Sequence, residues 1–258
     1  MKPFSMLPAL LLPWYADNAR VLPWRESRDP YRVWVSEIML QQTRVEAVMG
    51  YYARFLRALP TVEALAAADE DALFKLWEGL GYYSRARNLQ RAAQKIVTEY
   101  GGVFPHDYER VRALPGVGPY TAGAICSICF DLPKAAVDGN VLRVTARYLG
   151  DDTPIDESAH KAKIAAQLED VYPAGNCGTF TQSLMELGAT VCTPRSPKCA
   201  SCPLRQHCRA FAQNTVDRLP VKTPKKEKRR VEKTVFLLWY GEELALVRRE
   251  ESGLLGGM

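Results

Sequence analysis

The sequence predicts a mainly α-helical protein with a short β-rich tail, and three observations predict it. From residue 30 to 215, Ala, Leu, Arg, Glu and Gln dominate, and apolar residues recur at three- and four-residue intervals between brief Gly/Pro interruptions. Near the end of that stretch Cys192, Cys199, Cys202 and Cys208 fall within 17 residues. After Pro220 the chain turns basic and then β-prone.

Taken in order, the first element is an apolar helix. Met6–Pro13 resembles a short secretory core behind Lys2, but it lacks a small-residue cleavage site and runs straight into Trp14, Tyr15 and Asp17. Pro8 and Pro13 fit a helix poorly. Helices are then predicted over 31–57, 61–67, 69–77, 84–100, 107–113, 119–130, 138–149, 157–169 and 177–188. Lys222, Lys225, Lys226, Lys228, Arg229 and Arg230 make a basic linker, read as a solvated face with a DNA-backbone contact as the alternative. Residues 234–240 and 244–248, around Gly241, predict a hairpin. A hairpin alone buries no core, so the last segment is expected to be the opening of a domain not fully present.

Composition bounds the function. With 258 residues, 47% hydrophobic and 24% charged, the chain can build one large or two modest cores. No stretch approaches 18 uninterrupted apolar residues, which excludes a helical membrane span. The net charge of +5 is compatible with a polyanionic partner.

The spacing C-x6-C-x2-C-x5-C wraps two outer cysteines around a single C-x2-C. Four soft thiolates so close together read as a metal site, a [4Fe–4S] cubane first and zinc second. Disulfides are disfavoured by the odd total of seven cysteines and the lack of an export signal. Cys126, Cys129 and Cys177 read as small buried residues. His106, His160 and His207 are scattered and suggest no triad.

Leu114-Pro-Gly-Val-Gly-Pro-Tyr120 is a tight turn between two helices, a helix–hairpin–helix. Its backbone N–H groups at Gly116, Val117 and Gly118 suit a DNA phosphate. Asp138 and Asn140 flank a glycine at a helix start, where Asp138 either only caps or also stabilises a cation near bound DNA. Glu37 is the sole acid of the apolar run 33–40. It reads either as an early-turn acid behind a Ser36 cap, or as a buried carboxyl whose raised pKa suits a general acid. Gly79 and Gly81 allow close backbone approach, and Tyr82 and Tyr83 offer aromatic wedges.

In the same order, Val35–Thr43, Trp77–Tyr83, Leu114–Gly118, Val137–Asn140 and the four cysteines resemble the helix–hairpin–helix DNA glycosylases that carry an iron–sulfur cluster. Endonuclease III belongs to that superfamily, and within it the chain resembles the MutY-type adenine DNA glycosylases. The resemblance implies a two-lobed fold. A six-helix barrel spans 28–132, an iron–sulfur cluster lobe 1–27 and 133–218, the basic linker 219–232, and an incomplete Nudix-like C-terminal domain 233–258. That domain serves 8-oxoguanine recognition in the family.

It further implies hydrolysis of the N-glycosidic bond of adenine opposite guanine or 8-oxoguanine. Glu37 is the acid that protonates adenine N7, Asp138 is the ionised group that stabilises the sugar cation, and Tyr120 and Asn140 orient them. Arg25, Leu40, Gln42 and Tyr82 match pocket and wedge positions. Tyr120 stands where the strand-cleaving branch has a lysine, and a phenol forms no imine, so a monofunctional glycosylase is expected. The implied partner is double-stranded DNA with A·G or A·8-oxoguanine mispairs, met by a monomer in the cytoplasm at the bacterial nucleoid. The alternatives are a G·T mismatch thymine glycosylase and a non-catalytic DNA-binding iron–sulfur protein.

Overall fold

Short polar side chains start five of the helices, each accepting a backbone N–H that the first turn leaves unpaired. A computed structural model of the chain describes residues 2–224, 230, 232 and 234–247. In it Asp29 caps α2 (Pro30–Met39), Thr61 caps α4 (Val62–Ala67) and Asp69 caps α5 (Glu70–Trp77). Asp107 caps α7 (Tyr108–Arg112), and Asp138 caps α9 (Gly139–Leu149). The other helices are α1 (Leu7–Asn18), α3 (Val45–Ala58), α6 (Ser84–Tyr100), α8 (Pro119–Phe130), α10 (Ser158–Glu169), α11 (Cys177–Thr190) and α12 (Arg209–Ala212).

Residues Met1–Thr223 form one compact unit and Pro224–Met258 a second. In the first, α2 to α8 share a core built on Trp34, Phe55, Trp77, Leu89, Ile96 and Ile125. Phe4 and residues of α1 and α9 to α11 share another, built on Leu11, Val144, Ile164, Phe180 and Leu184. Where α8 meets α11 the backbones nearly touch: a Cβ on Gly178 would lie 2.8 Å from Ile128 Cα. Among the described residues of the second unit, Trp239–Tyr240 pairs antiparallel with Glu243–Leu244.

The structure corrects several expectations. The single helix over 31–57 is two, because the chain breaks at 40–44, where Gln42 takes φ +61°. Ser36 caps nothing: it lies inside α2 and donates to Val33 O (2.7 Å). Pro13 is accommodated within α1. The hairpin strands are two residues each, shorter than the β-prone runs. The helix α12 has no counterpart among the predicted elements. Lys225, Lys226, Lys228 and Arg229 of the basic run, Arg248, and the terminal Ser252–Met258 lie outside the described residues. Among the described residues, no helix is long and apolar enough to cross a membrane.

Candidate active site

Glu37 lies near the C-terminal end of α2, where the helix dipole disfavours a carboxylate, so the early-turn reading fails. Its side chain is buried, and Tyr120 Oη donates to its Oε2 at 2.6 Å. Tyr120 is delivered by the second residue of α8, directly after the Gly116–Gly118 turn. Burial raises the Glu37 pKa to about 7, against the Tyr120 hydrogen bond, with Asp138 adding to the rise and Arg25 opposing it. Burial, with Glu37 beside it, also keeps the Tyr120 phenol protonated.

Asp138 occupies the N-cap of α9. Its Oδ1 accepts from Val141 N at 2.7 Å and its Oδ2 from Asn140 Nδ2 at 2.8 Å. Burial raises its pKa too, against those two donors and Arg143. The expected contrast between an apolar site and a polar one is therefore a contrast in donor number. Glu37 has one donor, the Tyr120 phenol, whereas Asp138 has the cap amide, the Asn140 amide and a nearby guanidinium. Asn140 is itself held, its Oδ1 accepting from Arg143 Nη2 at 2.8 Å.

Glu37, Tyr120, Asp138 and Asn140 line one cavity of about 340 Å³, together with Arg25 and Leu40. Its far wall was not read from the sequence. Gln182, Met185, Glu186 and Ala189 recur at helical spacing along one face of α11 and line the cavity, as do Arg20 and Trp24. Glu186 is fully buried, yet Arg20 grips both its oxygens, Nε on Oε1 (2.7 Å) and Nη2 on Oε2 (2.9 Å), and Arg25 Nη2 shares Oε2 at 2.7 Å. Burial pushes this carboxyl up, but the two guanidiniums win and hold it below the usual range. Tyr15 Oη fixes Gln182 Oε1 at 2.7 Å. The only sequence signal for this wall is an acid and an amide four apart on an apolar helix.

The remaining predicted residues lie outside that cavity. Gln42 and Tyr82 both take positive φ and are exposed, on the loop after α2 and on the turn before α6. Gly116 takes φ +75°, and Gly118 precedes α8. Val117 departs from expectation. Its side chain is buried, its N–H donates to Leu114 O (3.1 Å) and its carbonyl accepts from Arg112 (3.0 Å), so its backbone groups are already used within the turn.

Cys192, Cys199, Cys202 and Cys208 are all free thiols lining one apolar cavity, roofed by Val144, Leu187 and Leu204. Arg147 Nη1 points at Cys192 Sγ (3.4 Å), and Arg143 Nε donates to Cys192 O (2.7 Å), so α9 braces this loop as well as Asp138. Four soft donors around an apolar cavity, with a guanidinium facing one sulfur, fit an anionic iron–sulfur core. When bound, such a cluster supplies structural cross-linking of the loop.

Comparison with known proteins shows the family. Residues 35–173 match the family described as HhH-GPD superfamily base excision DNA repair protein, and residues 192–208 match the iron–sulfur binding domain of endonuclease III. An adenine DNA glycosylase of Mus musculus is 49% identical over 213 residues, which is 78% of this chain and 41% of that protein. Another, from Buchnera aphidicola subsp. Baizongia pistaciae, is 36% identical over 248 residues, 95% of this chain and 70% of that protein. A solved thermostable thymine-DNA glycosylase superposes with a TM-score of 0.75 at 29% identity, covering 82% of this chain and 97% of that one. The chain thus spans about two fifths of the mouse relative's length.

Proposed function

Since the chain belongs to the adenine DNA glycosylases of the HhH-GPD base excision repair superfamily, we propose that it removes adenine from mispairs in duplex DNA by hydrolysing the N-glycosidic bond. The observation that carries this reading is the placement of Glu37 and Asp138 on one cavity with opposite donor environments. An adenine flipped out of the stack enters that cavity, at a cost of a few kcal/mol that is lower at a mispair. Glu37, with a pKa of about 7, carries a proton part of the time at neutral pH and gives it to N7. The sugar left behind is cationic, and Asp138 in its ionised form, which the Val141, Asn140 and Arg143 groups favour against burial, stabilises it. Glu37, now a carboxylate, then activates the water that completes hydrolysis.

Tyr120 and Asn140 hold the two carboxyl groups in place, and Arg25 and Leu40 shape the base pocket. Gln42 and Tyr82 fill the emptied stack, while the Gly116–Gly118 turn takes a backbone phosphate. A helical barrel over 28–132 and a cluster lobe over 1–27 and 133–218 supply the two sides of the cavity. The chain works as a monomer on A·G and A·8-oxoguanine duplexes, in the cytoplasm at the bacterial nucleoid.

The test is base release under single turnover. Free adenine from A·G and A·8-oxoguanine duplexes, with strand breaks only after alkali, is expected. Tight binding without release excludes the enzyme. Release of thymine from G·T duplexes instead favours the chemistry named for the thermostable structural relative.

A further inference from the structure

Arg147, near the end of α9, is almost fully buried, and no carboxylate is among its acceptors. Its guanidinium serves two separate stretches of chain. Nε donates to Val216 O (3.1 Å) and Leu219 O (2.9 Å), while Nη1 donates to Thr193 O (2.7 Å) and Nη2 to Pro194 O (3.3 Å). The first pair belongs to the strap that follows α12, the second to the start of the cysteine loop. Further on the strap is bonded again: Ile155 N donates to Val221 O (3.0 Å), and Thr223 N to Asp156 Oδ1 (2.9 Å). Pro194 and Pro220 both line a cavity of about 400 Å³ that also touches Asp138, Gly139 and Lys222. A cavity of about 620 Å³ is lined by Asp138, Gly139 and Lys222 as well. Lys222 is exposed, and it is the one cation common to both.

A guanidinium keeps its charge and presents its N–H groups in a rigid planar fork, so the carbonyls it collects are fixed relative to one another. Arg147 collects them from 193–194 and from 216–219, and so ties the strap to the cysteine loop. We propose that Arg147 is a positioning residue that seats Lys222 against the DNA strand beside Asp138. This rests on the function proposed above, which puts the sugar of the extruded nucleotide at Asp138. The phosphates flanking a sugar are the anions nearest to it, and the strap carries Lys222 to the two cavities that adjoin Asp138 besides the base pocket. A lysine on a loose segment must give up backbone as well as side-chain freedom to hold a phosphate. On a strap pinned at 216, 219, 221 and 223 the backbone share is met before DNA arrives.

Hydrogen exchange at the Ile155 amide reports the seat of the strap without DNA. In cluster-loaded protein, Arg147→Lys keeps the charge but lacks the fork that reaches both stretches. Ile155 should then exchange about tenfold faster, with the amides of α11 unchanged. Duplex binding reads Lys222 itself. Lys222→Met should reduce the slope of log affinity against log salt by about one, Arg147→Lys by the same, and the double variant no further. Unchanged exchange at Ile155 in Arg147→Lys overturns the proposal, and so does faster exchange throughout α11, which marks a merely structural cation. An unchanged slope in Lys222→Met overturns it too, as does a double variant whose slope falls by about two. If Arg147→Lys does not load its cluster, a crystal of the wild-type holoenzyme on an abasic-site duplex decides. Lys222 Nζ paired with a phosphate next to the abasic sugar sustains the proposal, and a side chain turned to solvent ends it. None of these measurements needs base release, so their failure is distinct from failure of the proposed hydrolysis.

Discussion

Tyr120 donates its phenolic hydrogen to Glu37 Oε2 across 2.6 Å, and that bond opposes the burial that lifts the Glu37 pKa to about 7. The bond favours the charged form of the acid. Tyr120→Phe should therefore raise the pKa further, moving the basic limb of the single-turnover pH–rate profile upward by on the order of half a unit. A limb that stays where it is, or moves down, would mean that the phenol does not set this proton affinity.

Glu37→Gln separates chemistry from stability. Loss of the general acid proposed here should slow adenine release by about 10²- to 10⁴-fold with duplex affinity retained. Stability should change in the opposite direction. The folded chain holds the Glu37 proton more tightly (about 7) than the unfolded chain (4.5). That contribution is fully present below the unfolded value and is lost as pH rises to about 7, a difference of roughly 3 kcal/mol. The glutamine variant carries no such loss. Its melting temperature at pH 8 should exceed the wild type's, and the gap should shrink towards pH 4; parallel melting curves at both pH values would rule out a buried, uncompensated acid.

Asn140 joins two networks, donating to Asp138 Oδ2 and accepting from Arg143. Asn140→Ala removes one of the donors that oppose burial at Asp138, so that carboxyl should hold its proton to a higher pH. The acidic limb of the pH–rate profile should move up while the basic limb, set by Glu37, stays in place. Movement of both limbs together would point to general disruption of the cavity.

Much of this arrangement is legible locally. An acid alone in the apolar run 33–40 ends up buried, and an Asp before Gly139 caps the helix that its position announces. The helices over 84–100 and 119–130 appear with the predicted bounds, because Gly101 and Asp131 take left-handed φ where periodicity ends. What was illegible is long-range. The break at 40–44 interrupts a sequence whose helical period runs on, and it is enforced by tertiary contacts such as Arg85 Nη1 on Ile38 O and Gln41 O. The α11 wall depends on Arg20 and Arg25, about 160 residues away from Glu186.

Glu186 gives the fourth prediction. Glu186→Ala leaves Arg25 and the partly exposed Arg20 without their shared carboxylate, and should cost about 3 kcal/mol in urea unfolding, the lower end for breaking a buried pair. The two guanidiniums hold the acid below its usual range, so its stabilisation is present above the unfolded carboxylate's pKa and is lost as the pH falls through the depressed one. The variant's deficit should be full at pH 7 and diminish in acid. A deficit that grows on acidification would contradict the pairing.

Gly188 tests whether the distance between α9 and α11 sets the catalytic geometry. A methyl group there would lie 2.6 Å from Asn140 Cβ and 3.2 Å from its Cα, and the Gly188 carbonyl accepts from Arg143 Nη2 at 2.8 Å. Both neighbours belong to the network that holds Asp138, so the methyl must either part the helices or turn Asn140 away. Gly188→Ala should cost about 1–3 kcal/mol through overpacking, and should slow adenine release more than that loss of folded protein explains. The control is Gly50→Ala on α3, where the new methyl meets only the flexible end of Arg54 at 3.6 Å. There the substitution should stabilise by about 0.5–1 kcal/mol through the helix backbone alone, with the rate unchanged. Equal rates in both variants at full folding would show that Asp138 tolerates movement of α11, and would place the constraint on its alignment within α9 itself.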